Sequence, residues 1–289
     1  MKLRDPLVIV GALSLVVMVF GVVLWCLGPS AGDKYTDVGS SLAVGAGIGL
    51  ALLGVEQLVT SRIELSQLRS AEERRFVESL LAAPDLTGVR LRGRALSGLV
   101  FADRDLRGAD LSGATLDRSD LRRIKISAAN LDGAQLGDAN LANADIRDAQ
   151  AGGLTAQDAI FDGANFSNTY LAGSALIRCS MEGSIFYRAD LTASDLSGSN
   201  LRRATLGSLK APRASFDDAD LRAASFVDAD LEDASFRSAD LRGADLSGAV
   251  LTGADLRGAD LRDCKTNGAV LTNIRTNDET RWPTSTRPI

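Results

Sequence analysis

The sequence predicts a repetitive solenoid preceded by a helical hairpin, and three observations carry that reading. A large apolar residue recurs every five positions from Leu86 to Leu271 with no insertion or deletion. The chain opens with Leu7 to Leu27, 21 residues without a charge. Composition is skewed: 28 Gly, 5% aromatic residues and no His among 289 residues. The first and third point to a simple coil built many times over, and the second to a segment of a different kind.

Composition also removes whole classes of chemistry. Without His there is no imidazole base, no Ser-His or Cys-His pair and no imidazole metal ligand. Three Cys are too few for a disulfide framework or a Cys-rich zinc site. A net charge of −5 argues against non-specific nucleic-acid binding.

In chain order, residues 1–59 read as a two-span membrane anchor. A helix of 21 residues is about 32 Å long, enough to cross a hydrocarbon core. A second, Gly-rich stretch covers about 38–58, and Gly28 to Asp37 reads as the loop between them. Lys2 and Arg4 precede the first span, and Arg62, Arg69, Arg74 and Arg75 come after the second. That distribution predicts a bacterial-type cytoplasmic membrane protein, multi-pass, with both termini in the cytoplasm and the lipid bilayer as a partner. Ser41, Gly45 and Gly49 share one face of the second span. Small residues so spaced predict close helix packing, either between copies as a homo-oligomer or against the first span. Residues 60–83 are helix-favourable and partly amphipathic, ending at Pro84, and are expected to cap the repeat region.

Residues 84–275 hold the repeat. Of its 38 central slots, 34 are Leu, Ile, Phe or Met, and the slot two residues earlier is Ala, Ser, Thr or Cys in 30. A period of five fits neither a helix nor a flat strand. The large and small slots, separated by one residue, point inward together, and the intervening Asp or Asn faces solvent or the turn. Units such as Ala109-Asp110-Leu111-Ser112-Gly113 and Ala254-Asp255-Leu256-Arg257-Gly258 resemble the pentapeptide-repeat family, A(D/N)LXX. The resemblance implies an all-β solenoid, a right-handed quadrilateral β-helix with four quintets per coil. Residues 20 apart then stack, and the rod is about 45 Å long at ~4.8 Å per coil.

Stacking predicts a column of Phe166, Phe186, Leu206 and Phe226 on one face. Arg94 and Arg104 occupy small slots, so irregular first coils meeting the preceding helix are expected. Large and small residues exchange around Ala151, Leu154 and Ala156 and around Leu209 and Ala211, which predicts a bulge or bend. Cys179 and Cys264 fall in inward slots on different faces and read as core thiols. Residues 276–289 read as a C-terminal cap or tail, with Trp282 as the capping residue.

The recurrent Asp slot reads as turn chemistry, because a short Asx side chain bonds nearby backbone. No catalytic, metal-binding or cofactor-binding residue is assigned, and no cofactor is expected. One charge feature stands out: Arg202, Arg222, Arg242 and Arg262 lie one coil apart in the same outward slot. They read as a solvated, self-neutralised face or as a contact ladder for an acidic partner. Tyr170 and Tyr187 are the outward aromatic candidates. The functional expectation is a non-enzymatic, membrane-anchored scaffold presenting a rigid rod to an unknown protein partner, with no direct nucleic-acid contact. Alternatives are a DNA-mimicking modulator of a topoisomerase, implied by the resemblance, and a regulatory subunit of a membrane transport assembly.

Overall fold

The computed structural model describes residues 54, 57, 59–63, 68 and 71–283. The chain divides into two compact units, Met1–Ser79 and Leu80–Ile289. Residues 59–63 are helical, and a helix over 71–82, α1, carries Glu72, Glu73, Arg74, Arg75 and Glu78 on its exposed side.

The multi-pass membrane expectation is corrected here. Among the described residues, no helix is long and apolar enough to cross a membrane. A bilayer core asks for ~20 apolar residues in one helix, and α1 is shorter and charged. The spans read at 7–27 and 38–58 lie, but for Gly54 and Gln57, outside the described residues, as do Ser41, Gly45 and Gly49. The cytoplasmic-membrane location, with both termini inside and the bilayer as partner, is therefore withdrawn.

From Arg90 onward the chain is a four-sided parallel β-coil. Bridges join each residue of the Asp/Asn slot to the one 20 positions on, from Arg90↔Asp110 to Asp255↔Arg275. Four such slots fit in one turn of 20 residues, so the cross-section has four sides. We name the sides by their central residues: face A runs through Phe101 and Leu121, face B through Leu106 and Ile126, face C through Leu111 and Leu131, and face D through Leu116 and Leu136. The final bridge, Asp260↔Arg281, spans one extra residue, so the last coil takes up an insertion.

A backbone account explains why five residues suffice. Within each quintet the central N–H bonds the coil above, as in Leu111 to Asn130 O at 2.7 Å, and the bridging N–H bonds the coil below, as in Asp110 to Val89 O at 2.9 Å. Two residues past the centre, the Gly113 N–H reaches Asp132 O at 2.8 Å, and the next N–H, Ala114, closes a turn onto Leu111 O at 3.0 Å. The residue just after the centre is the one donor left over. Side chains satisfy it: Ser112 N bonds Asp110 Oδ1, Arg122 N bonds Asp120 Oδ1, and Ala142 N bonds Asn140 Oδ1. At some slots that lack Asx, an Asp one coil below supplies the acceptor, as Asp117 does for the Gly137 N–H at 2.8 Å. The Asp/Asn preference is thus a demand of the backbone for an acceptor.

The turn has a second demand. Its third residue has positive φ in every quintet from Gly88 to Asn273, and 22 of these residues are not Gly. Asp and Asn tolerate that conformation; Ala128, Ala193 and Ala223 hold it at a steric cost.

The interior is a dry column. Central Leu, Phe, Ile and Met residues and the small Ala slots are buried from Leu91 to Leu261. Phe166 stacks on Phe186 with ring centroids 4.6 Å apart, and Phe216 on Phe236 at 5.0 Å. Phe226 meets Phe216 and Phe236 edge-on. Burying each such side chain contributes roughly 1.5–3 kcal/mol. Ser and Thr in the small slot donate to backbone carbonyls, mostly of the coil below, as Ser119 does to Leu96 O at 3.0 Å and Thr169 to Ile146 O at 2.8 Å, while Ser184 turns to Met181 O at 2.7 Å. Among the described residues no buried side-chain polar atom lacks a partner.

The two bulges expected from the volume exchanges do not form. The bridges run unbroken through Gln150↔Tyr170, Thr155↔Ala175 and Lys210↔Asp230. Leu154 and Leu209 are buried beside the alanines at 151, 156 and 211. At Leu209 and Ala211 the exchange moves volume from one inward slot to the next and keeps the total, whereas Leu154 alone stands in for two large central residues at 151 and 156; the coil stays regular at both places. The first coils are also regular in backbone. Arg104 leaves its slot and donates to the carbonyls of Leu81, at 2.9 Å, and of Ala83, satisfying acceptors at the end of α1.

Candidate functional site

The predicted arginine ladder lies on the outside of face A, just after the central residue. Arg222, Arg242 and Arg262 each fold back on the Asp two positions earlier. Their Nε and Nη2 atoms grip both carboxylate oxygens, with Arg242 at 2.8 and 2.6 Å from Asp240 and Arg262 Nη2 at 2.6 Å from Asp260. Arg222 also reaches Asp240 one coil up at 3.5 Å, and Arg281 reaches Asp260 at 3.6 Å. The Arg242 guanidinium holds the Asp240 carboxyl below its usual range, as Arg262 does for Asp260.

Arg202 differs. Asn200 stands where its neighbours have Asp, and it accepts only the Arg202 backbone N–H. Among the described residues the Arg202 guanidinium forms no ion pair, so the ladder holds three sequestered cations and one available one. Ser41, Gly45 and Gly49, the other candidate set, lie outside the described residues.

The pairing is wider than the three rungs noted from sequence. Asp105–Arg107, Asp120–Arg122, Asp145–Arg147 and Asp255–Arg257 adopt the same fork. The legible signal was Asp-Leu-Arg or Asp-Ile-Arg, which recurs at each. One carboxylate thereby serves the orphan turn N–H and the guanidinium together. A second pairing, between coils, joins Arg123 to Asp103, Arg178 to Asp158 and Arg237 to Asp217. The sequence reading missed these, because partners 20 apart meet only once the coil is closed.

The remaining candidates for chemistry are inert. Cys179 and Cys264 are buried free thiols donating to Ala156 O and Leu241 O. Burial pushes both up to about 12, so each stays protonated at neutral pH. Among the described residues no group of His, Cys, Asp or Glu could hold a metal ion. The core contains a void of about 10 Å³ lined only by Phe101 and aliphatic side chains, too small and too apolar for a ligand or a water. Tyr170 and Tyr187 are exposed, at 43% and 41%. Arg188 lies over the Tyr187 ring with its guanidinium carbon 5.1 Å from the centroid.

A closed parallel coil with an aliphatic spine and a fully committed backbone defines a β-solenoid repeat protein. The sequence profile of the pentapeptide repeats matches in eight copies, over residues 85–123, 119–153, 155–186, 184–210 and 214–253. That is more than half the chain, and the protein belongs to the pentapeptide-repeat family, whose members form right-handed quadrilateral β-helices. Among curated proteins none matches by sequence. Solved structures it resembles include HetL, a pentapeptide repeat protein involved in heterocyst differentiation regulation in the cyanobacterium Nostoc sp. strain PCC 7120. Identity is 25% over 69% of this chain and 92% of HetL, with a TM-score of 0.32. QnrB1, a plasmid-mediated fluoroquinolone resistance protein, is 21% identical over 68% of this chain and 92% of its own, with a TM-score of 0.33. A pentapeptide repeat protein of the Arabidopsis thaliana thylakoid lumen is 21% identical over 60% and 72%, with a TM-score of 0.13. The family assignment rests on the repeat match alone.

Proposed function

We propose that the chain is a non-enzymatic scaffold that binds a protein partner on the outer faces of its β-helix. One observation supports this above the others: the outward polar side chains are fixed in place by forked ion pairs and turn bonds on a stiff frame. Such a surface is ordered before it binds, which lowers the entropic cost of association. Many of the outward carboxylates are held in these pairs and turn bonds. On face A, Arg202, which forms no ion pair among the described residues, is placed to meet an acidic group of a partner.

The test is site-specific photo-crosslinking in cells, using the full chain with the crosslinker at Arg202, Tyr170 or Tyr187. A single partner captured in stoichiometric yield and lost when Arg202, Arg222, Arg242 and Arg262 become Ala supports the ladder as the contact. Undiminished capture by that variant removes the ladder from the interface. No capture at any face rejects the scaffold reading.

Duplex mimicry asks for a long acidic surface, since B-DNA carries one charge per ~1.7 Å. Residues 84–275 hold 27 acidic and 23 basic residues, and 86–125 hold nine basic against five acidic. A topoisomerase supercoiling assay with stoichiometric protein separates the readings: the scaffold leaves supercoiling unchanged, and a mimic inhibits it.

A further inference from the structure

Of the 38 quintets, only two carry like charges in both outward slots that flank the central residue: Arg90-Leu91-Arg92 and Asp230-Leu231-Glu232. Elsewhere a charge in the second slot is opposed by one in the first or stands alone there, and the opposed pairs are the Asp-x-Arg forks. These two quintets cannot neutralise themselves. Among the described residues, none of the four side chains takes part in an ion pair; Asp230 accepts only the Glu232 backbone N–H at 3.3 Å. One motif is wholly basic and the other wholly acidic. Both lie on face C, 140 residues and therefore seven coils apart.

The residues between them are ordered in a matching way. The bridging column of face C reads Arg90, Asp110, Asn130, Gln150, Tyr170, Asp190, Lys210, Asp230, and continues through Val250 to Val270 beyond the acidic motif. Taken inward from the two like-charged motifs, Arg90 answers Asp230, and Asp110 stands opposite Lys210, which is already paired with Asp190 of its own chain at 2.8 Å, so the unpaired motifs carry the complementarity. In the neighbouring outward column Arg92 answers Glu232. A two-fold axis lying in the plane of the face, along the strands and between Gln150 and Tyr170, reverses the rod. It still sets each column against its own counterpart.

We propose that face C binds a second copy of this chain, antiparallel, with Arg90 and Arg92 of each copy on Asp230 and Glu232 of the other. The centre of the face suits this. The Tyr170 ring lies across Gly152, where an added Cβ would stand 2.9 Å from it. Tyr170 is exposed, and Gly153, Ala172 and Gly173 near it in sequence and one coil away have little or no side chain, which suits contact with Gln150 of the second copy.

The scale of the contact sets its character. Seven coil steps at ~4.8 Å give about 34 Å of length, and a strip ~10 Å wide buries of order 700 Å² in total. Stable complexes bury ~1,200 Å² or more. The dimer is therefore weak, held by four charged clusters and dissolved by salt.

Sedimentation velocity on the full chain tests this with charge-swapped variants. The wild type is expected to dimerise at ~50 mM salt and to dissociate at ~500 mM, where the screening length shrinks to a few ångströms. Arg90→Glu with Arg92→Glu sets acid against acid and gives a monomer. Asp230→Arg with Glu232→Arg sets base against base and also gives a monomer. An equimolar mixture of the two variants restores complementarity at both ends and sediments as a heterodimer. All four substitutions are at outward positions, and circular dichroism verifies the fold. The milder pair Arg90→Gln and Arg92→Gln should raise the dissociation constant at least about tenfold. A monomeric wild type at low salt, a dimer indifferent to either reversal, or a mixture that stays monomeric overturns the proposal.

Discussion

Ala223 and Ala224 are adjacent, chemically identical, and held in opposite situations, which makes their replacement by Gly a sharp test of the turn argument. Ala223 is exposed and has φ of 56°, in the left-handed region. That conformation costs a residue with a Cβ about 1–2 kcal/mol. Gly removes the cost but adds ~0.5–1 kcal/mol of unfolded-state entropy. The net expectation is about 0.5–1 kcal/mol of stabilisation. Ala224 is 1% exposed and packs its methyl in the spine. Losing that methyl costs ~0.8 kcal/mol of burial plus the same glycine entropy, before any cavity term. Ala224→Gly should therefore destabilise by about 1.5–2 kcal/mol. Chemical denaturation of the full chain, followed by circular dichroism, reads the two midpoints against wild type. They should move in opposite directions, separated by about 2–3 kcal/mol. Ala128→Gly and Ala193→Gly, also exposed at positive φ, should add to the gain of Ala223→Gly. Equal losses at 223 and 224 would show that the turn stores no strain and that the repeat tolerates any residue there.

Three further outcomes rest on the same structure. Cys179 and Cys264, buried with thiols pushed up to about 12, should resist alkylation at about pH 7–9 in the native protein and react once it is unfolded; rapid native labelling of either contradicts their burial. Ser199 donates to Leu176 O at 2.7 Å and accepts the Cys179 N–H at 2.9 Å, whereas Ser174 only donates, to Ala151 O. Ser199→Ala strands a buried N–H and should cost about 1–3 kcal/mol, clearly more than Ser174→Ala in the same unfolding assay. The carboxyls of Asp120, Asp145, Asp240, Asp255 and Asp260 are each held below the ordinary value, foremost by the forked Arg two residues on. Because the folded value is depressed, that stabilisation is fully present above the unfolded value of ~3.9 and is lost as pH falls through the folded ones. The melting temperature should be level from about pH 8 to 5 on this account and fall below about pH 4; a decline beginning near about pH 6 would require another titrating group.

What the sequence by itself determined is the coil. A central Leu or Phe every fifth residue, with a small residue two places earlier, admits one inward face per quintet. Those columns are the buried spine from Leu91 to Leu261. The Asp slot was readable as turn chemistry, since a short acceptor two residues before a free N–H does the same work wherever it occurs. The volume exchange at Ala151 and Leu154 was visible as a break in the pattern, but its outcome was not. Whether a core bends or stays straight depends on how the displaced side chain packs, and Leu154 is buried in an unbroken coil. Which arginines remain available was likewise beyond the one-dimensional reading. Arg202 and Arg222 hold the same slot and differ through Asn200 and Asp220. Arg237 and Arg178 find their carboxylates one full coil away. Only the closed coil decides such partners, because ion pairing falls off within a few ångströms while residues 20 apart in sequence become neighbours. The opposition of Arg90 and Arg92 to Asp230 and Glu232 belongs to the same category: the charges are plain in the chain, and the four-sided winding is what places them on one face.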